Sequence, residues 1–285
     1  MPDQAAGLRS LFAKRRPSLL IVAGGDPGKA AVAVHFARES AGAGRATLLI
    51  DGTPGQAAAA CDVSCRYELA HVLAGDLPVD AVIKPLTADL LLLPAARALS
   101  RFGALAPDEE ARLHDVFATG IGAVLRGGTE AGGPDPQVDL IVVNTESTKA
   151  GRALDAFGRD ARFVIVASRH AASLRAAYAE MKTLSQDHHV ENFEVVVPAS
   201  DGEPASGVVF ANLANVARRF LEIEVTDGGT VVVEPPKDLR VNARPPRLVR
   251  PRGPASAPSH DGADAFAVPP SNPNPSAEVQ HAAVA

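Results

Sequence analysis

Runs of Val, Leu and Ile recur along the chain and are separated by longer amphipathic segments. Short apolar runs that do not alternate with polar residues predict strands buried on both faces. These predicted strands are Ser18–Ala23, Ala46–Ile50, Leu90–Leu93, Leu140–Val143, Phe163–Ala167, Phe193–Val197 and Thr230–Val233. Helical spacing predicts helices between them, including Ala30–Ala43, Pro107–Leu125, Ala171–Gln186 and Gly207–Phe220.

This alternation predicts an α/β fold with a mostly parallel sheet that is covered by helices on both faces. In such sheets, ligands bind beyond the carboxyl ends of the strands. We therefore look for chemistry in the residues that directly follow the first, second and fourth predicted strands.

Both ends of the chain differ from this body. Residues 2–16 predict a short amphipathic helix, whose apolar positions Ala5, Leu8, Leu11 and Phe12 recur at i, i+3 and i+4. A helix this short is marginal alone in water, so its apolar stripe must dock on the body or on another protein. From residue 235 the chain is rich in Pro, Ser, Ala and Asn, which predicts disorder. The predicted organisation is a helix at 1–16, an α/β domain at 17–234 and a Pro-rich tail at 235–285.

Charge and composition exclude several function classes. The whole chain has a net charge of −5, and the tail has a net charge of +2, so residues 1–234 together have a net charge of −7. An acidic body offers no large basic surface, so no specific nucleic-acid partner is expected. No apolar run is long enough to span a membrane, and the N-terminus has no signal peptide, so the expected location is the cytoplasm. Cys61 and Cys65 form one C-x-x-x-C pair, which we interpret as two buried thiols rather than a metal site.

The turn after the first strand has the outline of a phosphate-binding loop. Against G-x-x-x-x-G-K-[ST], Gly28 and Lys29 match, whereas Ala23 replaces the first glycine and Ala30 replaces the magnesium-binding hydroxyl. Asp26 brings a negative charge to the loop, and the residue after it, a proline, lacks an N–H donor. From these residues alone, both a simple strand-to-helix turn and phosphate binding stay open, with the turn favoured.

The later strand ends carry one acidic residue. In an intact P-loop ATPase they would supply carboxylates for magnesium and for the attacking water. Here the second strand is followed by Asp51-Gly52-Thr53 and the fourth by Asn144, so only Asp51 is acidic. An Asp before Gly is also a common turn residue.

Several segments resemble a known family. RYELAHVLAGDLPVDAVI, DLLLLPAARAL, AASLRAAYAEMKTLSQ and VFANLANVARRFLE, together with the order of strand ends, look like FlhG (also FleN or YlxH) of the MinD/ParA group of P-loop ATPases. The most specific match is the N-terminal D-Q-A-x-x-L-R motif, formed by Asp3, Gln4, Ala5, Leu8 and Arg9. The resemblance covers about residues 2–233.

The resemblance implies a regulator of flagellar number and placement, recruited to the cell pole or flagellar base. It implies that the N-terminal motif binds the signal-recognition-type GTPase FlhF and stimulates its GTP hydrolysis, with Gln4 helping to order the attacking water. Other flagellar or transcriptional components are further implied partners.

The nucleotide site departs from the family pattern. Gly24 stands where the family has the lysine that bridges two subunits, and Thr53 stands where it has a second carboxylate. Asn144 replaces the family's Walker B Asp, and Pro198 replaces the Asn that contacts adenine. Asp26 and Ala30 differ from the family's loop as described above. Gly25, Gly28, Lys29 and Asp51 are left as vestigial nucleotide-binding residues. We therefore interpret the protein as a pseudo-ATPase with no catalytic residue and no metal of its own. ATP with magnesium is expected only if this degenerate site still binds, and Lys29 is expected to pair with Asp51.

Two alternatives remain: a working MinD/ParA-type ATPase with an unusual site, and a ParA-like positioning protein for another polar cargo. Without the bridging lysine, the chain is expected to be a monomer. Prolines interrupt the basic stretch 237–252, so membrane contact is expected to be weak and electrostatic at most.

Overall fold

The computed structural model describes residues 17–126, 137–146, 149–157, 161–199 and 207–233. The chain divides into two units, Met1–Leu239 and Arg240–Ala285, and every described residue belongs to the first. The predicted N-terminal helix and the predicted disordered tail both lie outside the described residues.

Eight strands of the described chain form one sheet in the order β3-β4-β2-β5-β1-β6-β7-β8. They are β1 (Ser18–Ala23), β2 (Thr47–Asp51), β3 (Lys84–Thr87), β4 (Leu90–Pro94), β5 (Leu140–Asn144), β6 (Ala161–Val166), β7 (Asn192–Ala199) and β8 (Glu224–Val232). All neighbours pair in parallel except β3, which pairs antiparallel with β4. The predicted mostly parallel sheet is confirmed.

Helices connect the strands. They are α1 (Lys29–Gly42), α2 (Gln56–Ala60), α3 (Leu69–Leu73), α4 (Ala96–Arg101), α5 (Pro107–Asp115), α6 (Ile121–Leu125), α7 (Ala150–Phe157), α8 (Ala171–His188) and α9 (Gly207–Leu221). A 3₁₀ turn lies at Val79–Ala81 and a π-helical turn at Val116–Gly120. The predicted helix Pro107–Leu125 is therefore continuous but has a π turn between α5 and α6.

The core lies in two layers because side chains alternate along each strand. In β1, Leu19, Ile21 and Ala23 point into one layer, which also holds buried residues of α3, α4, α7, α8 and α9. Leu20 and Val22 point into the opposite layer, which α1 and α2 cover. The expectation of helices on both faces is thus confirmed.

Three details differ from the sequence-based expectations. β8 begins at Glu224 rather than Thr230, because its polar first half pairs with β7 at the edge of the sheet. The edge strand β3 was not predicted, since Lys-Pro-Leu-Thr has no apolar run. Cys61 and Cys65 are free and only half-buried, and partial burial raises the pKa of both thiols.

Within the described residues, no helix combines the length and apolar character that crossing a membrane requires.

Candidate functional site

The strand ends that carry the candidate residues meet at the middle of the sheet. β5 lies between β1 and β2, and its last residue, Asn144, is in register with Val22 on one side and Asp51 on the other. The loop Gly24–Gly28 follows β1 and leads into α1. The sequence-predicted residues of the loop, Asp51, Thr53 and Asn144 therefore converge as expected for a parallel sheet.

Gly24 adopts a backbone conformation that side chains rarely tolerate. Its φ is +121°, and a Cβ built at this position would lie 2.6 Å from the carbonyl oxygen of Val166. The loop therefore runs directly against the end of β6. Only glycine fits at this point without a shift of the backbone.

The carboxylate of Asp26 is buried inside the loop and bonded on both oxygens. The backbone N–H of Gly28 donates to Oδ1 at 2.8 Å, and the Ser173 hydroxyl on α8 donates to Oδ2 at 2.8 Å. The Lys29 N–H donates to the Asp26 carbonyl at 3.1 Å. The amides of residues 28 and 29 are thus bonded to Asp26 itself, and residue 27 is a proline without an N–H.

Lys29 points into the protein and is only 4% exposed. Its ammonium donates to the backbone carbonyl of Thr145, directly after β5. The prediction that Lys29 pairs with Asp51 is wrong. Lys29 donates to a backbone carbonyl, and the Asp51 oxygens accept from other donors. Burial lowers the pKa of the Lys29 ammonium, and the charge of Asp51 opposes that shift without a direct bond.

Asp51 is 1% exposed and sits at the centre of a hydrogen-bond network. Oδ1 accepts from the Thr53 hydroxyl at 2.9 Å, the Thr53 N–H at 3.2 Å and the Asn144 amide at 3.0 Å. Oδ2 accepts from the N–H groups of Ala57 and Ala58 at the start of α2. Burial raises the pKa of Asp51, and these donors act in the opposite direction by stabilising the charged form.

Thr53 and Asn144 complete this network with a hydroxyl and an amide. The Asn144 amide also donates to the Thr53 hydroxyl oxygen at 2.7 Å. Its carbonyl oxygen Oδ1 is buried and has no hydrogen-bond partner within the described part of the chain. Two neutral side chains therefore hold one carboxylate, so this network carries a single negative charge.

Pro198 and α8 close the loop from the other side. Cβ atoms built on the loop glycines would collide there: on Gly28, 2.8 Å from Pro198 Cβ, and on Gly25, 2.6 Å from Ala176 Cβ. Ala30, at the first turn of α1, is buried and offers no hydroxyl. The structure thus places Pro198 beside Gly28 of the loop.

Two groups that complete the site were not predicted from the sequence. Ser173 was unremarkable within a predicted helix, yet its hydroxyl bonds Asp26 across 147 residues of chain. The Thr145 carbonyl holds Lys29, and a backbone carbonyl carries no sequence signature. The N-terminal residues Asp3, Gln4, Ala5, Leu8 and Arg9 lie outside the described residues and stay predictions.

No group of three or more His, Cys, Asp or Glu side chains in the described ranges could hold a metal ion. Asp51 is the one acidic residue in the network around Asn144, because the positions beside it are a hydroxyl and an amide.

Lys29 gives a pH-dependent prediction. Burial lowers the pKa of its ammonium from 10.5 to about 8, although Glu146, Glu180 and Asp51 oppose the shift. Between pH 8 and 10.5 Lys29 is more often protonated in the unfolded chain than in the folded chain, so the free energy of unfolding rises with pH. Below pH 8, keeping the buried ammonium charged lowers the free energy of unfolding by about 3 kcal/mol. The free energy of unfolding of wild type should therefore rise by about that amount relative to that of Lys29→Met between pH 7 and 10.5, because methionine does not titrate.

Urea unfolding of wild type and Lys29→Met across this pH range measures the difference. Lys182→Met is the matched control, because Lys182 lies exposed on α8. A stability difference between wild type and Lys29→Met that does not change with pH would contradict the prediction.

No protein-family model and no curated protein matches the chain. Among solved structures, the MinD of the MinC:MinD cell division protein complex of Aquifex aeolicus is similar, with 18% identity, a TM-score of 0.49, and coverage of 76% of this chain and 82% of that chain.

Two further solved structures are similar. A plasmid partition protein of Borrelia burgdorferi B31 bound to AMPPNP has 13% identity and a TM-score of 0.46, and the match covers 79% of this chain and 90% of that chain. The apo form of McdA from Cyanothece has 13% identity and a TM-score of 0.47, and the match covers 77% of this chain and 87% of that chain.

Proposed function

We propose that the protein is a regulatory interaction protein, a FlhG-like pseudo-ATPase, rather than a nucleotide hydrolase. The observation that carries the proposal is that the loop and Asp51 satisfy their own hydrogen bonds. The Gly28 amide and the Asp51 oxygens, which a phosphate and a magnesium ion would need, bond to groups of the same chain.

The residues present do not fit a magnesium-bound triphosphate. The Asp26 carboxylate lies against the amide that would face a phosphate, and two anions cannot share that donor without strong repulsion. The hydroxyl that would bind magnesium is replaced by buried Ala30, and Asn144 brings an amide instead of a carboxylate.

Because these residues do not suit a magnesium-bound nucleotide, we place the proposed function in the N-terminal motif. In this proposal Asp3, Gln4, Ala5, Leu8 and Arg9 bind a FlhF-type GTPase, and the Gln4 amide helps to position the water that attacks GTP. The proposed biological consequence is control of flagellar number and placement, at the cell pole or flagellar base.

The GTPase rate of a FlhF-type partner tests this proposal directly. Adding the full chain should raise the rate at least about tenfold, because ordering the attacking water lowers the barrier, and Gln4→Ala should return it to the basal value. Gln56→Ala is the control, since Gln56 is an exposed glutamine on the body. If the wild-type chain does not raise the GTPase rate, the proposal is contradicted.

The alternative of a working ATPase predicts ATP binding. We expect that isothermal calorimetry of the full chain with ATP and magnesium at millimolar concentration gives no binding heat.

Light scattering should likewise show a monomer whose mass does not change with nucleotide, because Gly24 offers no charge to a second subunit. Measurable affinity in this range, or a nucleotide-dependent dimer, would favour the enzyme instead.

A further inference from the structure

The Asp26 carboxylate lies between the starts of two helices. Asp26 is only 7% exposed. One carboxylate oxygen accepts from the N–H of Gly28, the residue before α1, and the other accepts from the hydroxyl of Ser173, the third residue of α8. α1 and α8 are 14 and 18 residues long. One buried carboxylate therefore bridges the N-termini of two long helices.

Neither helix start has a negative group of its own. The first turns of α1 and α8 contain no Asp or Glu, and the N-cap residues Gly28 and His170 form no side-chain cap. The N-terminus of a helix carries a partial positive charge, and its first N–H groups have no partner within the helix. The Asp26 carboxylate is thus the anion that the two helix starts share.

Both donors are neutral groups with a fixed direction. The Ser173 oxygen accepts from the backbone N–H of Ser168 at 3.0 Å, which leaves the hydroxyl proton for Asp26. The ammonium of Lys29 takes no part in these bonds, because it donates to the Thr145 carbonyl. The site therefore attracts an anion through helix starts and oriented dipoles, as helix N-termini commonly do.

The surroundings of the carboxylate favour a small planar anion. A Cβ built on Gly28 would lie 2.8 Å from Pro198 Cβ and 3.2 Å from the Asp26 oxygen Oδ1. A Cβ built on Gly25 would lie 2.6 Å from Ala176 Cβ. A carboxylate has two oxygens in one plane, which match the two donors. A tetrahedral phosphate is larger, and its remaining oxygens gain nothing from these donors.

We propose that the starts of α1 and α8 form a carboxylate-binding site, that Asp26 is its internal ligand, and that a small external carboxylate enters when this side chain is removed. In the wild type Asp26 keeps external anions out, because two anions repel each other at the same donors. The inference rests on the proposed function for the exclusion of nucleotide, and it adds that these donors are retained but occupied.

Thermal unfolding of the full-chain variant Asp26→Ala, in sodium formate and in sodium chloride of equal ionic strength, tests the proposal. Formate is a carboxylate without a side chain, so it can enter the space that the substitution leaves. Formate at ~0.2 M should restore at least about half of the fall in Tm, because a ligand that binds only the folded chain raises its Tm. Wild type should unfold at the same Tm in both salts.

Asp26→Asn is the matched control. Its amide fills the space of the carboxylate without a charge, so its Tm should also be the same in formate and in chloride. Asp26→Ser is a milder second variant, because its hydroxyl can still accept from the Gly28 N–H. Formate should raise its Tm above the value in chloride, which keeps the test decisive if Asp26→Ala does not fold.

Three results would overturn the proposal. The shortened variants could unfold at the same Tm in both salts. Formate could raise the Tm of wild type or Asp26→Asn equally, which would be a general salt effect. Inorganic phosphate at the same ionic strength could stabilise Asp26→Ala more than formate does, which would assign the space to a larger anion. The GTPase assay with wild type and Gln4→Ala needs none of these variants, so failure of this proposal and failure of the proposed function are distinguishable.

Discussion

Asn144→Asp should destabilise the protein by about 3–5 kcal/mol at neutral pH, because it puts a second carboxylate beside buried Asp51. In the wild type the Asn144 amide donates to Asp51 Oδ1 at 3.0 Å and to the Thr53 hydroxyl at 2.7 Å. The substitution removes both donors and replaces an attraction with a repulsion between two desolvated charges.

The pH dependence of this variant follows from the same contact. A neighbouring carboxylate and burial both raise a carboxyl pKa, so one of the two groups stays protonated to a higher pH than it does in the unfolded chain. Stability is then lost as the pH rises above the unfolded pKa and is regained on acidification. The gap between Asn144→Asp and wild type should therefore be smaller at pH 5 than at pH 7.

Urea unfolding at these two pH values measures the effect, and Asn144→Ala separates charge from lost hydrogen bonds. That variant leaves Asp51 with fewer donors, at a cost of about 1–3 kcal/mol. Its deficit relative to wild type should change less between the two pH values than that of Asn144→Asp. If both variants lose the same stability at pH 7, the carboxylate at position 144 has found a partner and the site still accepts a cation.

Introducing a side chain at position 24 should also destabilise the protein. Gly24→Lys and Gly24→Ala both place a Cβ 2.6 Å from the Val166 carbonyl oxygen at a φ of +121°. We expect each to reduce the free energy of unfolding by about 3 kcal/mol or more, because both the backbone conformation and the collision with backbone are unfavourable. Thermal and urea unfolding measure the loss.

Gly44→Ala is the matched control. Gly44 also has a positive φ, +75°, but a Cβ there meets open space. This variant should lose only about 1 kcal/mol, the cost of the backbone conformation alone. Equal losses at the two positions would show that the loop moves away from β6 easily, so that the contact between Gly24 and Val166 is not rigid.

The sequence predicted the fold because its signals are local. Continuous apolar runs such as Leu140–Val143 mark strands buried on both faces, and their alternation with helices leaves mainly a parallel sheet. The elements without such runs were missed or misplaced. β3 contains Lys84 and Pro85, and the first half of β8 is polar, so pairing with a neighbour rather than apolar character makes them strands.

The candidate site was predictable in its members but not in its bonds. Loop residues, Asp51 and Asn144 could be expected to meet, because the carboxyl ends of parallel strands share one edge. The partner of Lys29 could not be predicted, because both Asp51 and a backbone carbonyl can accept a hydrogen bond from a buried ammonium. The path of the chain after β5 decides the matter, since it puts the Thr145 carbonyl within reach of Lys29.

The sequence by itself thus determined the class of sheet, the place of the loop at the end of the first strand and the positions at which this loop differs from a phosphate-binding motif. It also supplied the N-terminal motif on which the proposed function rests. The tertiary structure decided that Asp26 is held by Ser173 and that Asn144 and Thr53 share the Asp51 carboxylate. The reason is physical: hydrophobic periodicity is written along the chain, whereas the partner of a buried charge depends on which distant segments packing brings within hydrogen-bond distance.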